Sequence, residues 1–178
     1  MSDVKLPKSL KAVPLPGISQ EDRFSSTRDL IAETSYRIVD PDSNSIWGYI
    51  AIDNTQRGPG LGGIRVVQDL SLNEISRLAR VMTVKNSSAC LPYGGAKAGI
   101  TLKSFELTDN SAIREELIEN LADCLFELSA YVPAPDMGTN ENDIQIIYNN
   151  HTRKLGTQKH SRGGAGRPVE KGGIPIDD

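Results

Sequence analysis

A chain of 178 residues with 38% hydrophobic and 24% charged side chains has the make-up of one ordinary globular domain; its length allows a core without metal or disulfide staples and leaves little room for a second domain. Lys and Arg number 20 against 23 Asp and Glu, giving a formal net charge of −3, and the interspersed signs leave no basic stripe for nucleic acid or an anionic membrane. Met1-Ser2-Asp3-Val4-Lys5 opens onto Pro-rich polar sequence without the apolar core of a signal peptide, and no run nears ~18 apolar residues, so a cytoplasmic protein is expected.

Residues 1–24 carry Leu15-Pro16-Gly17 and many Lys and Ser, and are expected to be an irregular lead-in. Residues 27–34 suit a short helix. Tyr36-Arg37-Ile38-Val39 and Ile46 to Ile52 flank the turn formers Asp40-Pro41-Asp42-Ser43-Asn44, the pattern of a β-hairpin. Ile64 to Val67 continues as a third strand. Ser71-Leu72-Asn73-Glu74 matches a capping box, and Leu72, Ile75, Leu78, Ala79 and Met82 recur at helical spacing as far as about Ala89. Lys97 to Leu102 reads as a fourth strand, Ser111 to Ala130 as a second amphipathic helix with Ile113, Leu117, Leu121, Cys124 and Leu128 on one face, and Tyr131-Val132-Pro133 as a short strand. A third helix begins near Asn140, with Asp143 adding negative charge to its first turn. From His151 onward Lys, Arg and Gly dominate, as in a loop or linker. Cys90 and Cys124 lack a CxxC partner and read as two reduced core thiols, with no metal site.

Gly58-Pro59-Gly60-Leu61-Gly62-Gly63 satisfies the GxGxxG pattern of a dinucleotide site. Its context argues against that use: Ile64-Arg65-Val66-Val67 favours strand where a helix should open, and the position about twenty on falls at Thr83-Val84-Lys85, where an acidic residue should stand. Close approach of backbone to another group is the alternative use of such glycines.

Two lysines and one aspartate are candidates for chemistry. Lys85 lies near the end of the first helix, in Met82-Thr83-Val84-Lys85-Asn86, whereas Lys97 follows a glycine pair in Tyr93-Gly94-Gly95-Ala96-Lys97-Ala98-Gly99. Apolar surroundings lower a lysine pKa toward the range useful for acid–base work; taken alone, both amines could equally snorkel to solvent. Asp136, in Pro133-Ala134-Pro135-Asp136-Met137-Gly138, sits on a stiff loop that suits a proton carrier or an ordinary turn residue.

Gly58 to Arg65, Met82 to Gly99, Pro133 to Asn140 and Arg167-Pro168-Val169-Glu170-Lys171-Gly172-Gly173, in that order, resemble the amino-acid dehydrogenases that act on glutamate, leucine, phenylalanine and valine. The resemblance spans roughly Gly48 to Asp178 and implies the family's N-terminal, substrate-binding and dimerisation domain: α/β, with a mixed sheet of about five strands flanked by helices. It places that domain at residues 25–155, with 156–178 a linker toward an absent Rossmann cofactor domain. The activity implied is reversible oxidative deamination of an L-amino acid to a 2-oxo acid and ammonia with NAD or NADP. By analogy Lys85 pairs with the substrate α-carboxylate, Gly62 and Gly63 let backbone approach the substrate beside Leu61 and Met82, Lys97 activates water for attack on the imine, and Asp136 shuttles protons to the amino group. Leu61 stands where glutamate-specific members carry a lysine and so favours apolar substrates, although Leu91 to Lys97 and Pro135 to Asn140 look closer to the glutamate type. The resemblance also implies a homo-oligomer. With no second GxGxxG, three readings stand: a dehydrogenase fragment, one half of a split enzyme with a separate cofactor-domain chain, or a non-catalytic amino-acid-binding or oligomerisation module that co-assembles with an intact homologue.

Overall fold

The computed structural model describes residues 6–16, 32–102, 111–156 and 164–172. Six strands, β1 (Lys11–Pro14), β2 (Thr34–Val39), β3 (Ile46–Asn54), β4 (Gly60–Val67), β5 (Gly94–Thr101) and β6 (Tyr131–Pro135), form one sheet in the order β1-β2-β3-β5-β4-β6. The first three strands and β5 pair antiparallel, while β5, β4 and β6 run parallel, which makes the sheet mixed. Helix α1 (Leu72–Ser88) links β4 to β5; α2 (Ser111–Phe126) precedes β6, and α3 (Glu141–Leu155) follows it.

Alternation along the strands assigns the two faces. Ile50, Ile52, Ile64, Val66, Ala96, Ala98 and Ile100 join Leu117, Leu121, Ile144 and Ile147 in the main core, beneath α2 and α3. Ala51 turns the other way and meets Ile75 and Ala79 of α1. The close seat of α1 depends on β5 glycines four residues apart. A Cβ on Gly95 would lie 2.1 Å from the Thr83 nitrogen, and one on Gly99 would lie 2.9 Å from Ile75 Cδ1.

The hairpin, the third strand and the three helices occur where expected, with differences that have physical causes. The expected irregular lead-in of 1–24 contains a strand: Lys11 to Pro14 pairs with Val39 to Tyr36 at the sheet edge, a position where a proline costs no ladder bond. The short helix expected at 27–34 falls outside the described residues up to 31, and Thr34 itself starts β2. Strand β4 begins at Gly60 rather than Ile64, so most of the glycine run is strand. The second helix stops at Phe126, four residues before Ala130. The third continues through His151 to Leu155, and His151 is buried with its Nε2 2.9 Å from the Ala122 carbonyl. Six strands, not five, complete the sheet because β1 joins it.

Only half of the expected capping box at α1 forms. Ser71 accepts from the Glu74 nitrogen, but the Glu74 carboxylate pairs with Arg65. A complete box instead starts α3, between Asn140 and Asp143. Of the two thiols, Cys124 is a core residue, pushed up to about 12 by burial, whereas Cys90 is exposed with a φ of 57° just past the end of α1. Among the described residues no helix is long and apolar enough to cross a membrane, and no cluster of His, Cys, Asp and Glu could hold a metal ion.

Candidate active site

Helix α1 covers β3 and β5 and leaves the same face of β4 and β6 largely open. A cleft of about 290 Å³ occupies that opening, bounded by the last turns of α1, the middle of β4 and β5, the end of β6 and residues 165–166. Period-two alternation puts Leu61 and Gly63 of β4 and Lys97 of β5 on this face. Met82 and Lys85, three residues apart, reach the cleft from one side of α1. Asn86 staples this helix end in place, donating to the Leu61 carbonyl at 3.2 Å and the Gly94 carbonyl at 2.6 Å.

Lys97 is 4% exposed, and its Nζ lies 2.9 Å from Asp136 Oδ1. Burial pushes this amine below the usual lysine range; the contact with Asp136 works in the opposite direction, and the positive charges of Arg65 and Lys85 add to the lowering. Burial alone would raise the Asp136 carboxyl, but hydrogen bonds from Arg65 and Lys97 hold it below the ordinary carboxylate range.

The loop that carries Asp136 is fixed from several sides. Its backbone nitrogen donates to Thr139 Oγ1, which donates in turn to the Ile64 carbonyl of β4, and the Val66 nitrogen donates to the Met137 carbonyl. From α2, Arg114 donates to the Gly138 carbonyl at 2.8 Å. Gly138 has a φ of 79°, and a Cβ there would lie 2.1 Å from the Val66 carbonyl oxygen, so the loop's seat on β4 requires glycine.

Six of the seven expected site residues, Leu61, Gly63, Met82, Lys85, Lys97 and Asp136, line the cleft. Gly62 does not. A Cβ at Gly62 would lie 1.6 Å from the Ala96 carbonyl oxygen, and its own carbonyl accepts from the buried Tyr131 hydroxyl at 2.9 Å. Gly63 leaves the room that Lys97 and Asp136 fill: a Cβ there would meet Asp136 Cβ and the Pro135 oxygen at 2.7 Å and Lys97 Nζ at 3.2 Å.

Sequence reasoning passed over Arg65, Glu74, Asn86 and Tyr131. Arg65 stands two residues after Gly63, on the cleft face of a strand whose neighbours are apolar, and that lone charge was the available signal. It donates from Nε to Asp136 Oδ2 and from Nη1 to Glu74 Oε1, both at 2.8 Å. The expected linker is also partly docked: Ala165 donates to the Pro133 carbonyl at 2.8 Å, and Arg167 lies 3.9 Å from the Tyr148 ring centroid, a cation–π stack.

A family model described as Glu/Leu/Phe/Val dehydrogenase, dimerisation domain, matches residues 29–153. Glutamate dehydrogenase of Thermotoga maritima is 33% identical over 155 residues, which is 82% of this chain and 35% of that protein. Among solved structures, a hetero-hexameric glutamate dehydrogenase from Thermus thermophilus in a leucine-bound form superposes with a TM-score of 0.66 at 24% identity, over 94% of this chain and 36% of that one. L-tryptophan dehydrogenase from Nostoc punctiforme does so with a TM-score of 0.59 at 23% identity, over 71% of this chain and 38% of that one. These two structures show a common fold, and the chain spans about a third of the length of such relatives. On the match over residues 29–153, this chain belongs to the Glu/Leu/Phe/Val dehydrogenase family, through its dimerisation domain.

Proposed function

We propose that the chain is the substrate-binding part of an L-amino-acid dehydrogenase, and that the cleft between α1 and β6 receives the amino acid or its 2-oxo acid. One observation carries the reading: an exposed lysine, a buried lysine and a fixed aspartate face one cleft whose other walls include Leu61, Met82, Leu91 and Pro135. Lys85 is the fixed cation for the α-carboxylate. Lys97, with its lowered proton affinity, holds and releases a proton at Nζ, activating water against an imine carbon, and Asp136 exchanges protons with the substrate nitrogen. Orienting the carboxylate with one charge and handling protons with a separate pair is the division this chemistry requires. The apolar walls favour leucine-like substrates. The glutamate enzyme from Thermotoga maritima supports the alternative, an acidic substrate.

The family implies a nicotinamide cofactor, NAD or NADP in this reading. The described residues do not fit it: the glycine run continues as strand β4 to Val67 with no helix opening after Gly63, so the strand–turn–helix cradle for a pyrophosphate is not formed there. The roles assigned to this chain are therefore binding and proton handling. Membership through a dimerisation domain supports association with a second copy of this chain, and residues 156–178 lead toward a cofactor domain in this reading. A non-catalytic amino-acid-binding module would share the same binding step.

Calorimetric titration of the chain with L-leucine, L-glutamate and their 2-oxo acids tests the reading. Binding that prefers the leucine pair and is lost in Lys85→Met is expected. Binding unaffected by that substitution, or no binding of either pair, would overturn it.

A further inference from the structure

Asp136 is gripped through both carboxylate oxygens, and the two grips differ in kind. On Oδ1 sits Lys97 Nζ at 2.9 Å, and on Oδ2 sits Arg65 Nε at 2.8 Å. The second arm of the guanidinium, Nη1, reaches Glu74 Oε1 at 2.8 Å. One planar fork therefore spans two carboxylates, a geometry that a lysine ammonium cannot reproduce.

Each oxygen of Asp136 already accepts from a cation, and a proton is favoured on the oxygen whose donor can give up its charge. Arg65 keeps its charge throughout the working pH range, and its link to Glu74 holds the guanidinium in place from α1. Lys97 is the contact that can loosen, because its amine can lose a proton. We propose that Arg65 is the positioning residue of this site, fixing Oδ2 of Asp136 as an anchor so that Oδ1, beside Lys97, is the oxygen that exchanges protons in the cleft. The proposal deepens the reading of Lys97 and Asp136 as the proton-handling pair and rests on it. The charged groups acting on Asp136 are Arg65 from β4 and Lys97 from β5; from α1, Glu74 bonds to Arg65 and Lys85 lines the same cleft. Tyr131 of β6 gives its hydroxyl to the Gly62 carbonyl, and burial pushes its phenol well above the usual range, so it stays neutral.

The test follows the Asp136 carboxyl carbon by NMR during a pH titration of the full chain labelled at aspartate Cγ, which needs no turnover. The unsubstituted chain should keep Asp136 ionised below the ordinary 3.8. Arg65→Gln removes the anchor and leaves burial opposed by Lys97 alone, so the midpoint should rise by at least about one pH unit, a tenfold gain in proton affinity. Arg65→Lys, which keeps the charge without the fork, should fall between the two, and it carries the test should Arg65→Gln not fold. Glu74→Gln leaves the Arg65–Asp136 contact and should not raise the midpoint. An unchanged midpoint in folded Arg65 variants would overturn the proposal. So would a rise in Glu74→Gln matching that in Arg65→Gln, which would reduce Arg65 to a tie between β4 and α1. Failure of the amino-acid titrations alongside the expected midpoints would count against the dehydrogenase reading alone.

Discussion

Replacing Asp136 by alanine leaves Lys97 almost fully buried without its carboxylate, and the cost of doing so has a ceiling. A buried charge that loses its partner typically costs about 3–5 kcal/mol, but a lysine can escape by giving up its proton. Neutralising an amine of ordinary pKa 10.5 at pH 7 costs about 1.4 kcal/mol for each of 3.5 pH units, or about 5 kcal/mol; at pH 9 the same escape costs about 2 kcal/mol. Destabilisation in Asp136→Ala should therefore reach about 2–4 kcal/mol at pH 7 and fall below about 2 kcal/mol by pH 9. The sign follows from linkage. The unfolded chain holds the Lys97 proton more tightly than the folded one, so stability rises with pH until the ordinary lysine value is passed. Losing Asp136 lowers the folded value further and steepens that rise. Urea unfolding of both proteins between pH 6 and 9 measures the difference. A loss under 0.5 kcal/mol at pH 7, or one that stays constant with pH, would refute the claim that Lys97 is held charged by Asp136.

The opposite substitution, Lys97→Met, removes the buried charge and leaves Asp136 with Arg65, so its stability should change by less than about 1 kcal/mol in urea, with either sign. Gly63→Ala sets a methyl against Asp136 and the Pro135 carbonyl; overpacking of this kind costs about 1–3 kcal/mol, and amino-acid binding by calorimetry should be lost with it. Asn140→Ala removes the cap that starts α3 immediately after the Asp136 loop, for about 1 kcal/mol in the same unfolding assay. Leu61→Lys adds a cation to an apolar wall of the cleft and should shift the binding preference toward L-glutamate by about tenfold, equivalent to about 1.4 kcal/mol.

Local patterns carried much of the fold. The hairpin turn at Asp40 to Asn44, the Ser71 cap and the apolar spacing of α1 are short-range signals that stand in the structure where they stand in the sequence, and the spacing of α2 does so as far as Phe126, short of Leu128. Strand β1 was not legible because Lys11 to Pro14 has little strand character of its own and is held by pairing with β2. The early start of β4 was hidden by its glycines, which weaken strand propensity yet fit here because neighbouring backbone and side chains approach so closely. The site divides along the same line. Lys97 and Asp136 were visible through unusual local settings and the resemblance, and both face the cleft. Arg65 gains its part from Glu74 of α1, nine residues on, and from Asp136, 71 residues on, the latter brought beside it by the parallel pairing of β4 with β6. Gly62 was grouped with Gly63 as a neighbour, but alternation turns adjacent strand residues to opposite sides.

An amino acid seated between Lys85 and Lys97 would cover the exposed Lys85 amine, so ligand protection of that amine reports its presence. The chain would be acylated briefly at its lysines, with and without saturating L-leucine or its 2-oxo acid, and labelling at each lysine read by mass spectrometry. Labelling of the exposed Lys85 should slow while that of Lys154, which pairs with Asp123 away from the cleft, is unchanged; Lys97, almost fully buried, should label little in either state. Equal labelling of Lys85 with and without ligand would contradict that placement.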